Sequence, residues 1–406
     1  DEEIIEGFRA VFDDAVAQRL IADVEVAAYL SGGIDSCAVL GVAQRKLSRP
    51  IRAFTISFDD EMYDERLLAQ RTAELTRSNF VPVPVTQRQL ADAFPDALWH
   101  SETLALNGHG VAKFLLSRAV RDAGIKVVLT GEGADEMLAG YPPFRRDMIL
   151  HNAANAAEKE RLLGELTAAN QSSRGLLSPS GESAPGLEAF TKRLGWIPSS
   201  FAGFSTLVAK IHPLFKESYR AEQVATGAYA DLLDQIDVRG RLGGRDPVNQ
   251  ALYLWGRSQL HNYVLTYLGD RMEMAHSVEG RVPFLDHHVA EFVAQIPVHH
   301  KIRGLREKHV LREAVRDCVL PEIYNRQKHP FMSPPTRTTD DALVSFYQDV
   351  LHSSAVDAQP FFEPRSVRGL MQRVAELPAQ ERGAYDGAVL LVVSTCVLQQ
   401  RFAIAA

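Results

Sequence analysis

The sequence is poor in the features that would take it out of the ordinary globular class. It has only three cysteines, Cys37, Cys318 and Cys396. They lie far apart and form no CxxC pair, which points to a reducing compartment and a cytoplasmic location. No apolar run reaches the length of a membrane span, and no stretch resembles a signal peptide. Neither sign of charge dominates. The 44 Lys and Arg face 51 Asp and Glu for a net charge of -7, which argues against a surface that coats nucleic acid. There is no internal repeat and no heptad run. The chain starts at Asp1 rather than Met, as a fragment or a processed product does. What remains is 406 residues, 46% hydrophobic and 23% charged, room for two or more domains or one large one.

Apolar spacing organises the first third. Ile4, Ile5, Phe8, Val11, Phe12, Ala15, Val16 and Leu20 recur as on one helix face. Val24–Leu30 reads as a buried strand, and a helix runs from about Asp35 to Leu47. Ile51–Phe58 is a second strand and Glu65–Thr76 a helix. Phe80–Val85 is a short strand whose prolines place it near a sheet edge. Helices over Leu90–Trp99 and Val111–Ala123 precede a strand over Lys126–Thr130. Strands alternating with helices predict βαβ units, a parallel sheet and ligand binding at the carboxyl ends of the strands.

The texture changes after Asp147. Asn152–Leu166 looks helical, Ala168–Pro185 is rich in Ser, Gly and Asn, and Arg239–Asp246 is a Gly-rich connection. From Val248 most runs are helical, with Gln250–Tyr267 long and amphipathic, Lys308–Val319 strongly patterned and Ala388–Gln399 apolar enough to close a core. The expected division is 1–147, a nucleotide-binding α/β core; 148–247, a helical insertion; and 248–406, a helical remainder that completes the active site.

Four motifs carry chemistry. Ser31-Gly-Gly-Ile-Asp-Ser36 joins a strand to a helix, so backbone N–H groups and the positive helix end converge on the turn. The glycines admit a phosphate close to the backbone, and Asp35 beside it makes sense with a magnesium ion between them. The Walker pattern GxxxxGK[ST] is absent. Gly131-Glu-Gly-Ala-Asp-Glu136 follows the last strand and crowds three carboxylates into five residues. Bound magnesium would gather them, and so would a helix N-terminus or plain solvation of a first turn. Gly269–Asp286 embeds charges among Met, Val, Phe and Leu, which equally fits a buried ion cluster. The fourth motif is Glu307-Lys-His-Val-Leu-Arg-Glu-Ala-Val315 followed by Leu320–Phe331, in which Arg326-Gln-Lys328 precedes Pro330-Phe331 on an extended segment; from there Lys328 could reach phosphate, though alone it would read as a surface residue.

In this order SGGIDS, GEGADExxxGY, DRMxMAxSVExRVPFLD and RQKxxF resemble the synthetase domain of the asparagine synthetase (glutamine-hydrolysing) family, from about Phe8 to about Phe331. That implies the α/β fold of the PP-loop ATP pyrophosphatases, related to the adenine nucleotide alpha hydrolases. It also implies ATP and magnesium, adenylation of a side-chain carboxylate with release of pyrophosphate, and displacement of AMP by ammonia. In most relatives an upstream glutaminase domain with a nucleophilic Cys supplies the ammonia. No glutamine-hydrolysing apparatus is visible here, so that domain is expected upstream in the gene product or on a partner chain. Neither nucleic acid nor membrane is expected as a partner, and a homodimer stays open.

By the resemblance, Ser31, Gly32, Gly33 and Ser36 hold the pyrophosphate portion of ATP, and Asp35 and Asp135 are magnesium ligands. Leu30, Ile56, Thr130 and Gly131 line the adenosine pocket. Glu132 sits beside the acyl-adenylate, and Lys328 neutralises charge on phosphorus and on the leaving pyrophosphate. β-Lactam synthetases place Tyr where Glu132 stands, so Glu132 favours ammonia as nucleophile over ring closure. Two departures bear on the substrate. Gly280 replaces the usual Ala, and His100–Gly110 lacks the usual acidic or proline-containing motif in the segment that adjoins the carboxylate in relatives. Aspartate and a larger carboxylate, as in natural-product pathways, both stay open. A partner-binding module without catalysis and an RNA-modifying pyrophosphatase are opposed by the intact motifs and by the acidic charge.

Overall fold

The computed structural model describes residues 1–58, 65–170, 186–327 and 342–404. The chain folds into two compact units. One gathers Asp1–Thr86, Ala112–Arg145 and Leu252–Ser333; the other gathers Gln87–Val111, Arg146–Ala251 and Pro334–Ala406. Each is assembled from three separated stretches, so 1–147, 148–247 and 248–406 divide the sequence, not the compact units.

The first unit contains the sheet. In order come α1 (Glu2–Arg19), β1 (Val26–Tyr29), α2 (Ile34–Lys46), β2 (Arg52–Phe58), α3 (Arg66–Thr76) and β3 (Asn79–Val85). Along the chain then follow α4 (Gln87–Ser101), which belongs to the second unit, α5 (His109–Asp122), β4 (Val127–Leu129), α6 (Ala134–Met137) and α7 (Pro142–Asn152), most of which also belongs to the second unit. With β5 (Glu279–Arg281) as the fifth, the strands of this sheet are all parallel, in the order β3-β2-β1-β4-β5. This is the α/β parallel-sheet fold expected. β3, with Pro82 and Pro84, is an edge strand, where a missing N–H costs no ladder bond on the open side.

β5 (Glu279–Arg281) was not expected. It lies in the SVEGRVPF stretch and pairs Gly280 with Val128 of β4. Its neighbours Met272, Val278 and Phe284 are fully buried, which explains the apolar texture of that motif. A short hairpin, β6 (Ile302–Arg303) and β7 (Arg306–Glu307), was also missed. The Lys308–Val319 pattern is helical only over His309–Ala314. The run expected as one helix over Gln250–Tyr267 is an α-helix to Trp255, then a π-helical stretch Gly256–Asp270 kinked at Gly269.

The helix-periodic face of α1 enters the core through Phe8, Phe12, Ala15 and Val16, all buried. Phe12 stacks on Phe284 with centroids 4.5 Å apart. Cys37, Leu40, Val310 and Leu311 belong to the same cluster. Leaving water is what holds these side chains together, about 25 cal/mol for each Å² of apolar surface.

The second unit is helical over its described residues. α4 packs against Ala342–His352 and Asp386–Phe402. Phe94 meets Tyr347 edge-on at 5.9 Å, and Ser394 accepts the Ala105 N–H at 3.1 Å. No helix among the described residues is long and apolar enough to cross a membrane.

Candidate active site

β1 and β4 are neighbours, and the sheet order reverses between them. Their carboxyl ends therefore form a topological switch point, where open α/β sheets bind ligands. The turn after β1 carries Ser31, Gly32 and Gly33; the turn after β4 carries Gly131, Glu132 and Gly133.

Gly131 lets these turns touch. A Cβ there would lie 2.9 Å from the Ser36 amide nitrogen and 3.0 Å from Asp35 Cβ. Gly133 has φ +93, and a Cβ on it would strike Leu285 at 2.4 Å. Within the first turn the Ser31 amide donates to Ser36 Oγ at 3.0 Å, and the Gly33 amide donates to Ser31 Oγ at 3.1 Å. The turn is thus preformed by its own serines. Gly33 caps α2 in an extended conformation, and Asp35 lies in the first helical turn, where a carboxylate complements the helix dipole.

Leu30 and Thr130 are buried just past the ends of β1 and β4, and Ile56 lies near the carboxyl end of β2. The Leu30 amide donates to Phe54 O and the Thr130 amide to Arg281 O, both at 2.9 Å. The residues expected around adenosine thus stand on adjacent strand ends.

Asp35 and Asp135 meet at a cation, the ammonium of Lys308. It lies 2.6 Å from both Asp35 oxygens and 2.5 Å from Asp135 Oδ1. Lys308 is fully buried and has φ +55, just ahead of the His309–Ala314 helix. Gly140 admits it, since a Cβ there would come 1.9 Å from Asp135 Oδ1 and 2.3 Å from Lys308 Cε. The ammonium ties two buried carboxylates together, and their oxygens are the donor type that magnesium takes. The two residues expected as metal ligands are thus brought together, on the ammonium of a lysine.

Sequence reading placed Lys308 within the fourth motif but gave it no role. It missed Glu65 and Arg326 as neighbours of the glycine turn. The Gly32 amide donates to Glu65 Oε2 at 3.1 Å, and Arg326 binds both Glu65 Oε1 at 2.8 Å and Gly32 O at 3.1 Å. A carboxylate thus occupies an amide of the anion-binding turn, with a guanidinium beside it. Arg326 stands in the RQK motif, which could have flagged it; Glu65 carried no signal beyond a helix start.

Arg326 is held from below. Arg312 donates to Tyr324 O at 2.6 Å and to Arg326 O at 2.9 Å, and Glu307 accepts from Arg312 at 2.5 Å. Arg145 lies 3.3 Å from the other Glu307 oxygen. Burial disfavours the Glu307 anion, but Arg145 and Arg312 outweigh it and lower its pKa. Lys328 lies outside the described residues.

Glu132 accepts from Lys113 Nζ at 2.8 Å, and the same ammonium is 3.4 Å from Glu273 Oε1. Burial works against the Glu132 anion, yet Lys113 holds its pKa below the ordinary value. Glu273 moves the other way. Burial, opposed by Lys113 and reinforced by the Glu132 and Asp270 charges, raises it to about 7.

The sequence profile of the family described as asparagine synthase matches residues 7–395. This chain belongs to the asparagine synthase family. It is 34% identical over 362 residues to the protein named amidase chyE of Penicillium rubens, covering 82% of this chain and 53% of that one. To amidase chry2 of Gibberella zeae it is 30% identical, over 100% of this chain and 63% of that one. To asparagine synthetase [glutamine-hydrolyzing] 1 of Bacillus subtilis it is 22% identical, over 88% and 54%. The chain thus spans between about half and two thirds of these relatives' lengths.

Proposed function

We propose that the chain is a C–N bond-forming ligase that adenylates a carboxylate with ATP and passes the acyl group to ammonia. One observation carries the reading: at the switch point, a preformed anion turn and two acidic helix starts bring Asp35 and Asp135 onto a single cation. A turn of amides suits the β- and γ-phosphates, and two carboxylates suit the metal that accompanies them.

In this reading Ser31, Gly32, Gly33 and Ser36 bind the pyrophosphate portion of ATP, and Leu30, Ile56, Thr130 and Gly131 bind adenosine. Asp35 and Asp135 hold magnesium, which when bound neutralises phosphate charge. Lys328 does so at the reacting phosphorus. The substrate carboxylate attacks the α-phosphorus and pyrophosphate leaves. Ammonia then attacks the acyl carbon beside Glu132, the C–O bond to AMP breaks, and the amide forms. Fixed charges and N–H donors aimed at these oxygens favour both steps. Ammonia would come from a glutaminase domain on the same gene product or on a partner.

The acid is aspartate or another carboxylate. The latter is favoured by identities of 34% and 30% to two proteins named amidases, against 29% and 22% to proteins named putative asparagine synthetase and asparagine synthetase. Pyrophosphate release from Mg-ATP, screened across amino acids and aromatic and aliphatic acids, tests the reading. Release that depends on one carboxylate, with its amide formed from ammonium, is expected. ATP binding without release for any acid would overturn it.

A further inference from the structure

Lys113 is absent from every motif that identifies the family, yet it is central to the carboxylate pair. It sits on α5 and is only 7% exposed. Its ammonium touches Glu132 at 2.8 Å and Glu273 at 3.4 Å, and lies 4.1 Å from the centroid of the Tyr29 ring. Three side chains from three separate parts of the chain thus surround one buried cation. The surroundings hold it still. Ser117, one turn along α5, donates to Lys113 O and pairs with the Tyr29 hydroxyl, both at 2.9 Å. Phe114 packs on His276 at 4.3 Å, fixing α5 against the turn that carries Glu273.

Gly280 supplies a second, independent observation. A Cβ there would lie 2.0 Å from Glu273 Oε2 and 2.6 Å from Glu273 Cδ. The glycine that replaces the usual Ala is what makes room for the Glu273 carboxylate where it faces Lys113. Gly280 and Lys113, from distant stretches, therefore serve one contact.

Resting on the adenylation reading, we propose that Lys113 is a positioning residue for the ammonia step, holding Glu132 and Glu273 together as a carboxylate pair beside the reacting carbon. Two carboxylates this close repel unless a cation lies between them. With Lys113 present, the pair holds one carboxylate firmly ionised and one that titrates near neutrality. Attack of ammonia forms the C–N bond, AMP leaves with the C–O electron pair, and the proton shed by nitrogen passes to the pair. A proton acceptor works best with a pKa near the working pH. The charged groups that set this titration are Lys113 and Asp270, besides the two glutamates themselves, and the neutral Tyr29 ring faces the same ammonium.

Lys113→Met keeps the length of the side chain and removes the charge; Lys113→Arg keeps the charge. Without the ammonium both carboxyls protonate more readily, so the acid limb of amide formation moves to higher pH. We expect a shift of at least about one pH unit and a loss of about tenfold near pH 7 in kcat, with pyrophosphate release changed much less. Lys113→Arg should restore the profile, and Gly280→Ala should perturb it in the Met direction by displacing Glu273. Carboxyl-carbon NMR titration of the unliganded wild-type chain gives a readout free of turnover. Glu273 should titrate near neutrality, well above Glu132. Two carboxyls titrating independently at ordinary values, or a folded Lys113→Met chain with the wild-type pH profile, would overturn the proposal. Should Lys113→Met not fold, the wild-type titration and Gly280→Ala still decide. A wild-type chain without adenylation would sink the functional reading but leave the titration result to judge Lys113.

Discussion

The Lys308 ammonium lies 2.6 Å from each carboxylate oxygen of Asp35, a residue 273 positions away in sequence. The same ammonium reaches Asp135 at 2.5 Å. One cation thereby ties the turn after β1 to the turn after β4.

Removing that cation should leave two buried carboxylates facing each other. Breaking a buried charge cluster by deleting one partner costs about 3–5 kcal/mol. Lys308→Met should therefore melt well below wild type in EDTA, and magnesium should recover part of the loss. Calorimetry with and without the ion checks this. A variant as stable as wild type in EDTA would show that the ammonium does not hold the two turns.

Asp35→Asn should abolish pyrophosphate release while leaving the fold intact, since the amide keeps the shape but loses the charge that binds metal. Activity at the wild-type level would remove Asp35 from the metal site. Gly131→Ala should be as damaging by a steric route, because the new methyl meets the Ser36 backbone at 2.9 Å. Titration of ATP binding measures its effect, and unchanged affinity would contradict the close approach of the two turns.

Glu307→Ala should destabilise the chain by about 3–5 kcal/mol, since it strands Arg145 and Arg312 in a dry interior. It should also weaken activity beyond the stability loss, because Arg312 pins the backbone of Arg326 just before Lys328. Urea unfolding gives the first quantity and pyrophosphate release at low temperature the second. For Lys328→Ala, slower release with nearly unchanged ATP binding is expected; equal rates would take Lys328 out of the mechanism.

Asp147 predicts a pH dependence of stability. It is fully buried and accepts the Ser199 N–H at 2.9 Å, and burial raises its pKa from 3.8 to about 7. The folded state then holds a proton that the unfolded state gives up between these two values. Stability from this group is full below the lower value and is lost as pH rises through the higher one. Asp147→Asn, which still accepts the amide, should match wild type near pH 4 and exceed it near pH 8, by at most about 4 kcal/mol. Melting curves at the two pH values test it, and equal curves at both would show that Asp147 ionises in the fold without penalty.

The sheet and its binding edge were legible because strand and helix periods alternate cleanly to Thr130, and because two Gly-rich acidic turns end strands that prove to be neighbours. β5 was not legible. Three residues, Glu279, Gly280 and Arg281, carry no alternation, and only pairing with β4 makes them a strand. Lys308 and Lys113 were hidden for another reason. A lone Lys in a helix-like run reads as a solvated side chain, and only tertiary folding shows that each faces two carboxylates. The two compact units were equally hidden, because each draws on three stretches whose packing no local pattern records.

The central claim is that this site activates a carboxylate by joining it to AMP. The direct test uses a carboxylate that supports turnover, labelled with oxygen-18 in both oxygens, followed by mass spectrometry of the products. Adenylation predicts one labelled oxygen in AMP and none in pyrophosphate. Label in inorganic phosphate with ADP as the nucleotide product would mean an acyl-phosphate route and would contradict the account.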